Sequence, residues 1–199
     1  MITVPATIFC APLLAGIAIW VKIDSPGPVF FRQKRVGIHQ KYFEILKFRT
    51  MRADTPKDVP THLLENPDQY ITKSGKFLRA TSLDELPQIF NILKGDMSLV
   101  GPRPERPEIA ALYSERIPEF DYRLKVKAGL TGYAQVYGKY NTTPYDKLKL
   151  DLTYIETYSL KLDLKLLMLT FKILFQKENT EGVEAWQKTA GQEKNEEND

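Results

Sequence analysis

The chain is short of the residues that staple small proteins. It has one cysteine in 199 residues, Cys10, so an internal disulfide is excluded. Its only histidines, His39 and His62, offer no Cys/His spacing for zinc. No internal repeat is evident. The apolar share of 43% is ordinary for a globular domain and excludes a polytopic membrane protein. The length suits one domain with a real core.

Charge is present but unevenly placed. Residues 177–199 hold three Lys and seven Asp/Glu, a local −4, so residues 1–176 carry +7. A basic body suits an anionic partner: a nucleotide, a phospholipid head group or a nucleic acid. The acidic end, 178–199, reads as a disordered tail.

Residues 1–21, MITVPATIFCAPLLAGIAIWV, contain no charge. As a straight helix they would cover about 31 Å, close to a hydrocarbon thickness. Pro12 sits in the middle, preceded by Ala11, and predicts a kink that returns the helix to the side it entered. A re-entrant membrane helix over 1–23 is therefore expected, against a plain spanning helix or a buried core helix. Trp20 and Lys22 suit the exit at an interface, and Arg32, Lys34 and Arg35 place that exit on the cytoplasmic side.

Asp24-Ser25-Pro26-Gly27-Pro28 stops the first helix. VFFRQ (29–33) and YFEILKF (42–48) read as two strands around a turn with Gly37, a small hairpin. Residues 53–70, with Pro56, Pro60 and Pro67, read as a loop or an interrupted helix. Leu83, Leu86, Ile89, Phe90 and Leu93 predict an amphipathic helix over 83–94. A Gly/Pro loop runs from Gly95 to Pro107, helical character returns over 108–116, and 129–146 reads as irregular. In 163–177, Leu164, Leu167, Met168, Phe171, Leu174 and Phe175 share one face, and Lys165 and Lys172 share another. That stretch is too short to span a bilayer but suits a helix lying in its surface; a core helix is the competing reading. The expected fold is mixed α/β and mostly helical, with a compact cytosolic domain over 24–177.

Ser82-Leu83-Asp84-Glu85-Leu86 is the most informative stretch. Ser82-x-x-Glu85 matches a capping box, a purely structural feature. Pro87 complicates that reading, because it would fall inside the helix Ser82 caps. If Pro87 instead opens the helix, Asp84 and Glu85 lie in the turn before it. In both cases the carboxylates sit near the positive end of a helix dipole, which favours ionisation. An ionised aspartate can attack phosphorus. Two carboxylates would repel a diphosphate, so compensating cations are required. Arg79, Arg103, Lys47 and Arg49 are the candidates, together with Mg²⁺. Pro102 and Pro104 stiffen the backbone on either side of Arg103. Neighbouring helical residues point about 100° apart, so Asp84 and Glu85 are assigned different jobs.

Taken in order, DSPGPVFFRQ (24–33), KFRTM (47–51), RATSLDELPQ (79–88), GDMSLVGPRP (95–104), LTGYAQV (130–136) and DLK (163–165) resemble motifs of the bacterial sugar transferases. These are monotopic phosphoglycosyl transferases that act on polyprenyl phosphate. The likeness covers roughly residues 10–175. It implies transfer of a sugar 1-phosphate from a UDP-sugar to polyprenyl (undecaprenyl) phosphate with release of UMP. This would be the first membrane step of O-antigen, capsule, exopolysaccharide or glycoprotein assembly. Asp84 matches the family nucleophile, which would form a phosphosugar-aspartyl intermediate and hold Mg²⁺ with the diphosphate. Glu85 matches its dyad partner, with the implied role of accepting a proton or helping to position metal and acceptor; Arg79 and Arg103 match positions near the nucleotide or phosphates, and Lys47, Arg49 and Gln135 are further binding candidates. The family helix breaks at Ser-Pro, where this chain has Ala11-Pro12. The basic stretch that precedes that helix in the family is absent. Val136-Tyr137-Gly138-Lys139-Tyr140 is closer to the catalytic parts of larger members, which implies further N-terminal domains. The implied setting is the cytoplasmic face of a bacterial inner membrane, in contact with its lipids, with a homodimer among the allowed assemblies.

Two other classes compete. A non-enzymatic membrane-surface adaptor would use the same helices and basic body but gains nothing from an Asp-Glu pair among cations. A nucleic-acid binder would use the basic body, but no recognised motif supports it, and nucleic acid is not expected as a partner.

Overall fold

The computed structural model describes residues 3–56, 66–138 and 142–174, with side chains in the first helix from Cys10 onward. The expected disordered tail and Phe175 lie outside the described residues, as does most of the Pro56–Pro67 stretch. The architecture is mixed α/β and mostly helical.

Helix α1 spans Thr3–Asp24. It passes through Ala11 and Pro12 as one uninterrupted element, so the expected kink produces no break. Proline's φ is helical, and the loss at such a position is one backbone bond and some crowding a turn back. Leu14, Ile17 and Val21 recur on one face and are buried with Phe48 and Leu78. Leu13, Ile19, Trp20 and Ile23 are equally apolar but exposed. Among the described residues no helix is long and apolar enough to cross a membrane.

Strands β1 (Phe30–Val36) and β2 (Tyr42–Phe48) pair antiparallel, Phe30 opposite Phe48 and Val36 opposite Tyr42. Their turn uses left-handed backbone at His39 and Gln40. Alternation sorts the two faces: Ile45 enters the core with Met97 and Ala128, and Lys47 points to the same side. A second, parallel pair, β3 (Met97–Val100) with β4 (Ala128–Thr131), forms where the sequence suggested only loop and irregular chain. Glycine makes it feasible: a Cβ on Gly129 would lie 2.1 Å from the Gly101 nitrogen.

Helix α2 (Lys73–Ala80) is capped by Thr72, whose hydroxyl accepts from the Gly75 amide. Asp24, the last residue of α1, accepts from the Ser74 amide and hydroxyl at 2.9 and 2.8 Å, joining the two helices. The expected helix over 83–94 is divided: Leu83–Glu85 form a 3₁₀ turn and α3 runs Gln88–Lys94 with Pro87 at its N-cap. Asn91 of α3 is buried and pairs like a strand residue with β2, accepting from the Leu46 amide and donating to the Glu44 carbonyl.

Helix α4 (Pro107–Arg116) is followed by a 3₁₀ segment over Pro118–Lys125. Within 129–146, helix α5 (Tyr133–Tyr137) follows β4, and α6 (Pro144–Glu156) begins at a Thr143 cap. Helix α7 (Leu160–Leu174) starts three residues earlier than expected, where the Ser159 hydroxyl accepts from the Leu162 amide. Leu166 is fully buried against Val100 and Tyr154, with Leu167 packed beside it, so Leu167 belongs to the inner side and not to the outer stripe. Leu160, Leu164, Met168, Phe171 and Leu174 remain exposed.

Candidate active site

The Asp84–Glu85 pair sits in the turn before α3, so the alternative with Pro87 near the helix start is the one realised. The capping box does not form. Ser82 lies in the left-handed region (φ 55) and makes no cap hydrogen bond with its side chain. A serine there is strained, and such strain persists only when neighbours over-determine it. Leu83, Leu86 and Ile89 supply that constraint by packing into the core beneath α1.

The two carboxylates have different partners. Glu85 Oε1 accepts from Lys47 Nζ at 2.6 Å and from Arg103 Nη2 at 2.5 Å, and Oε2 accepts from Arg103 Nη1 at 3.1 Å. Burial alone would raise the Glu85 carboxyl, but Arg103 and Lys47 overcome it and hold it far below the usual range. Glu85 is thus a fixed anion. Asp84 has no hydrogen bond or ion pair of its own among the described residues. Burial pushes its carboxyl up; Lys47, Arg79 and Arg103 pull it down, and the Glu85 charge adds to the rise.

The cations arrive from three elements. Lys47 comes from β2, where burial lowers its ammonium and Glu85 opposes that shift. Arg79 comes from the last turn of α2, its Nε donating to the Thr50 hydroxyl at 2.9 Å. Arg103 comes from the Pro102–Pro104 loop, its guanidinium raised by the Glu85 charge. Arg35 of β1 stands behind them; burial and the Arg103 charge lower it to about 10, so it stays protonated at neutral pH. Three cations, Lys47, Arg79 and Arg103, against the two carboxylates of the dyad leave a surplus of positive charge around Asp84, suited to an anion such as a diphosphate.

Arg49 and Gln135 are placed elsewhere. The Arg49 guanidinium is buried and donates to the Ser25 hydroxyl and to the Ser25 and Pro26 carbonyls, each at 2.7 Å. It therefore closes the carboxyl end of α1, where main-chain carbonyls lack partners, instead of joining the dyad. Gln135 lies on α5, where its amide donates to the Leu130 carbonyl at 3.1 Å. Ala11 and Pro12 lie on the exposed side of α1.

Comparison with known proteins bears directly on this arrangement. The profile of the bacterial sugar transferase family matches residues 1–177. The chain belongs to that family. The UDP-glucose:undecaprenyl-phosphate glucose-1-phosphate transferase of Caulobacter vibrioides is 44% identical over 180 residues, covering 87% of this chain and 66% of that protein. The same-named protein of Xanthomonas campestris pv. campestris is 44% identical over 83% of this chain and 36% of its own length. The UDP-N-acetylgalactosamine-undecaprenyl-phosphate N-acetylgalactosaminephosphotransferase of Aeromonas hydrophila is 39% identical over 82% of this chain and 39% of its own length. The chain thus spans between about a third and two thirds of these relatives.

In this member of the bacterial sugar transferases, a second set of charges escaped the sequence reading. Arg123 and Asp151 are almost fully buried, with Arg123 Nη2 2.7 Å from Asp151 Oδ2 and Nη1 3.6 Å from Glu105 Oε1. Lys147 also pairs with Glu105. Burial raises the Asp151 carboxyl and Arg123 opposes it; at Glu105, Lys147 and Arg123 outweigh burial and lower the carboxyl. The buried charges balance, two of each sign. In sequence the partners lie 18 to 42 positions apart, and no local pattern links them. The one available signal was Asp151 amid the apolar spacing of Leu148, Leu152 and Ile155.

Proposed function

We propose that this protein transfers a sugar 1-phosphate from a UDP-sugar to undecaprenyl phosphate and releases UMP, with Asp84 as nucleophile. The observation that carries this reading is the contrast within the dyad: Glu85 is locked by Arg103 and Lys47, and Asp84 is left unpaired among cations. An Asp84 oxygen attacks the β-phosphorus of the UDP-sugar. A new phosphorus–oxygen bond forms, the bond from that phosphorus to the bridging oxygen breaks, and UMP leaves with the bridging oxygen and its electron pair. A phosphate oxygen of undecaprenyl phosphate then attacks the same phosphorus, giving the undecaprenyl diphosphosugar and restoring the Asp84 carboxylate. Arg79, Arg103 and Lys47 offset the charge of the diphosphate and of the departing UMP. Glu85, bonded to both, holds Arg103 and Lys47 in position.

Mg²⁺ is compatible with these residues. Among the described residues no three His, Cys, Asp or Glu side chains gather into a closed cage. Mg²⁺ commonly takes one or two carboxylates and completes its shell with phosphate oxygens and water. Asp84 would hold it, since both Glu85 oxygens are engaged. When bound, the ion would neutralise diphosphate charge.

The relatives' names mention both glucose and N-acetylgalactosamine, which supports a UDP-hexose class of donor. A site on the cytoplasmic face of the bacterial inner membrane suits the acceptor. The exposed apolar residues of α1 and of α7 would enter the lipid surface, with α1 re-entrant. The test is a panel of UDP-sugars with undecaprenyl phosphate and Mg²⁺ in lipid-embedded enzyme, read as UMP release. Turnover with one donor and its loss in Asp84→Asn, with membrane association retained, is the expected result. Activity in Asp84→Asn would overturn the covalent route, and silence across the panel would overturn the transferase reading.

A further inference from the structure

Residues 102–105 carry Arg103 to the site, and all four of their carbonyls are engaged. The Pro102 carbonyl accepts from the Gly129 amide at 3.0 Å, and the Glu105 carbonyl accepts from the Val36 amide at 3.0 Å. The two between them are taken by guanidinium groups: Arg123 Nη2 donates to the Arg103 carbonyl at 2.8 Å and Arg35 Nη1 to the Pro104 carbonyl at 3.0 Å. Arg123 is a buried cation, and burial of an unpaired cation is costly. Here it is compensated on both sides, by Asp151 of α6 and by Glu105. Its guanidinium also lies over the Phe120 ring, 4.9 Å from the centroid. One rigid fork thus links α6, the 3₁₀ segment after α4 and the loop that bears Arg103.

We propose that Arg123, clamped by Asp151 and Glu105, is a positioning residue for the transfer reaction, fixing the main chain of Arg103 so that its guanidinium meets Glu85 beside Asp84. The proposal rests on the transferase reading for its kinetic consequences, but the placement of Arg103 can be read without turnover. Lysine cannot replace this arginine. A single ammonium lacks the planar fork that reaches the Arg103 carbonyl and both carboxylates together. Loosening the loop moves the Arg103 guanidinium, and displacements of about 1 Å at a catalytic group can lower a rate about 10²-fold.

A double-mutant cycle on the full chain in lipid discs tests this. Arg123→Lys is expected to lower kcat with the active UDP-sugar about 10²-fold. In an Arg103→Ala background the same change is expected to alter kcat less than about 2-fold, because the group it positions is already gone. Equal losses in both backgrounds would overturn the proposal and assign Arg123 to stability alone. The independent reading is the proton and nitrogen-15 spectrum of the Arg103 guanidinium, whose two Nη groups are both held on Glu85. Separate Nη signals are expected in wild type and their exchange-broadening or merging in Arg123→Lys, and an unchanged Arg103 spectrum would overturn the proposal even if no UDP-sugar is turned over. Should Arg123→Lys not fold, Asp151→Asn replaces it. That variant keeps Arg123 and an acceptor but removes the charge that clamps it, and the same non-additivity with Arg103→Ala is expected.

Discussion

Arg103 meets Glu85 with both ends of its guanidinium, Nη1 on Oε2 at 3.1 Å and Nη2 on Oε1 at 2.5 Å. Such a paired fork gives direction as well as attraction. Lys47 reaches the same carboxylate from β2, so one glutamate sets the positions of two cations. Substitution Glu85→Gln removes the charge to which both cations are bonded and leaves them only the weaker, unbonded influence of Asp84 and, for Arg103, of Glu105. A stability loss of about 2 kcal/mol is expected, below the figure for a fully buried pair because Arg103 keeps 37% of its side-chain exposure. Glu85 is held below its ordinary value of 4.5, so its contribution is complete above that pH and is lost as pH falls toward the much lower folded value. Urea unfolding at pH 7 and pH 3 should therefore show a smaller difference between wild type and variant at the acid end.

The rate should report Asp84. Burial raises its carboxyl above the ordinary 3.8, and only the ionised form attacks phosphorus. Turnover should fall on the acid side at a pH above ordinary aspartate titration. Lys47→Met removes the first cation that opposes this rise, so the acid limb should move to higher pH. Glu85→Gln removes a like charge, so its limb should move to lower pH. A pH profile of kcat/KM for wild type and the two variants checks both directions. An identical limb in all three would show that Asp84 is not the group observed.

Parts of this arrangement were legible in the sequence, and the missing parts share a physical cause. The β1–β2 hairpin announces itself through aromatic and branched residues around Gly37. The dyad turn is marked by Pro87, whose missing amide suits a helix start. Helix α2 was not recognised, because KSGKFLRA carries few apolar residues and a central glycine. Its buried positions include Ser74 and Gly75, which no hydropathy pattern reveals. The β3–β4 pair was hidden because each strand is four residues long and the partners are separated by a proline-rich loop and a helix. By its charge and its place in the KFRTM stretch, Arg49 is a candidate cation for the phosphates. Strand alternation from Lys47 would put Arg49 on the same side, but β2 ends at Phe48, and beyond it the Arg49 guanidinium reaches Ser25 and Pro26 at the end of α1.

Arg49 accordingly tests stability and not binding. Its guanidinium holds Ser25 and Pro26, and its charge is little compensated because burial lowers it with only Asp24 opposing. Arg49→Met should lower stability by about 2 to 3 kcal/mol, the range for a hydrogen-bonded charged group. The KM for the UDP-sugar in the folded fraction should be unchanged. Thermal melting and steady-state kinetics on the same preparation separate the two effects, and a raised KM without a melting shift would return Arg49 to the binding site.

Gly75 lies where α2 passes the strand-like chain at Thr50. A Cβ there would sit 2.1 Å from the Thr50 carbonyl oxygen, which belongs to backbone and cannot rotate away. Thr50 also accepts from the Thr72 amide at 3.0 Å and Arg79 bonds its hydroxyl, so displacement would reach the site. Gly75→Ala should destabilise the fold by about 2 kcal/mol or more although alanine is the better helix former. It should also lower turnover through Arg79. Denaturant midpoints and kcat measured together are the check, and a more stable Gly75→Ala would contradict the close approach.

Helix α7 carries apolar residues on both sides, and this decides how it should respond to charge. Inward, Leu166 is sealed against Val100 and Tyr154, and the Thr170 hydroxyl shares a hydrogen bond with Thr131 of β4. Outward, Leu164, Met168 and Phe171 are 51%, 66% and 64% exposed and recur at helical spacing. A surface helix needs no such stripe for folding, whereas each large side chain entering lipid contributes about 1.5 to 3 kcal/mol at most. Met168→Glu with Phe171→Glu should therefore leave the melting temperature near wild type and weaken sedimentation with liposomes by at least about 10²-fold. Leu166→Ala should do the reverse, costing about 3 kcal/mol of stability while the folded fraction still binds vesicles. If the double glutamate variant sediments as well as wild type, the outer stripe of α7 is not a lipid contact.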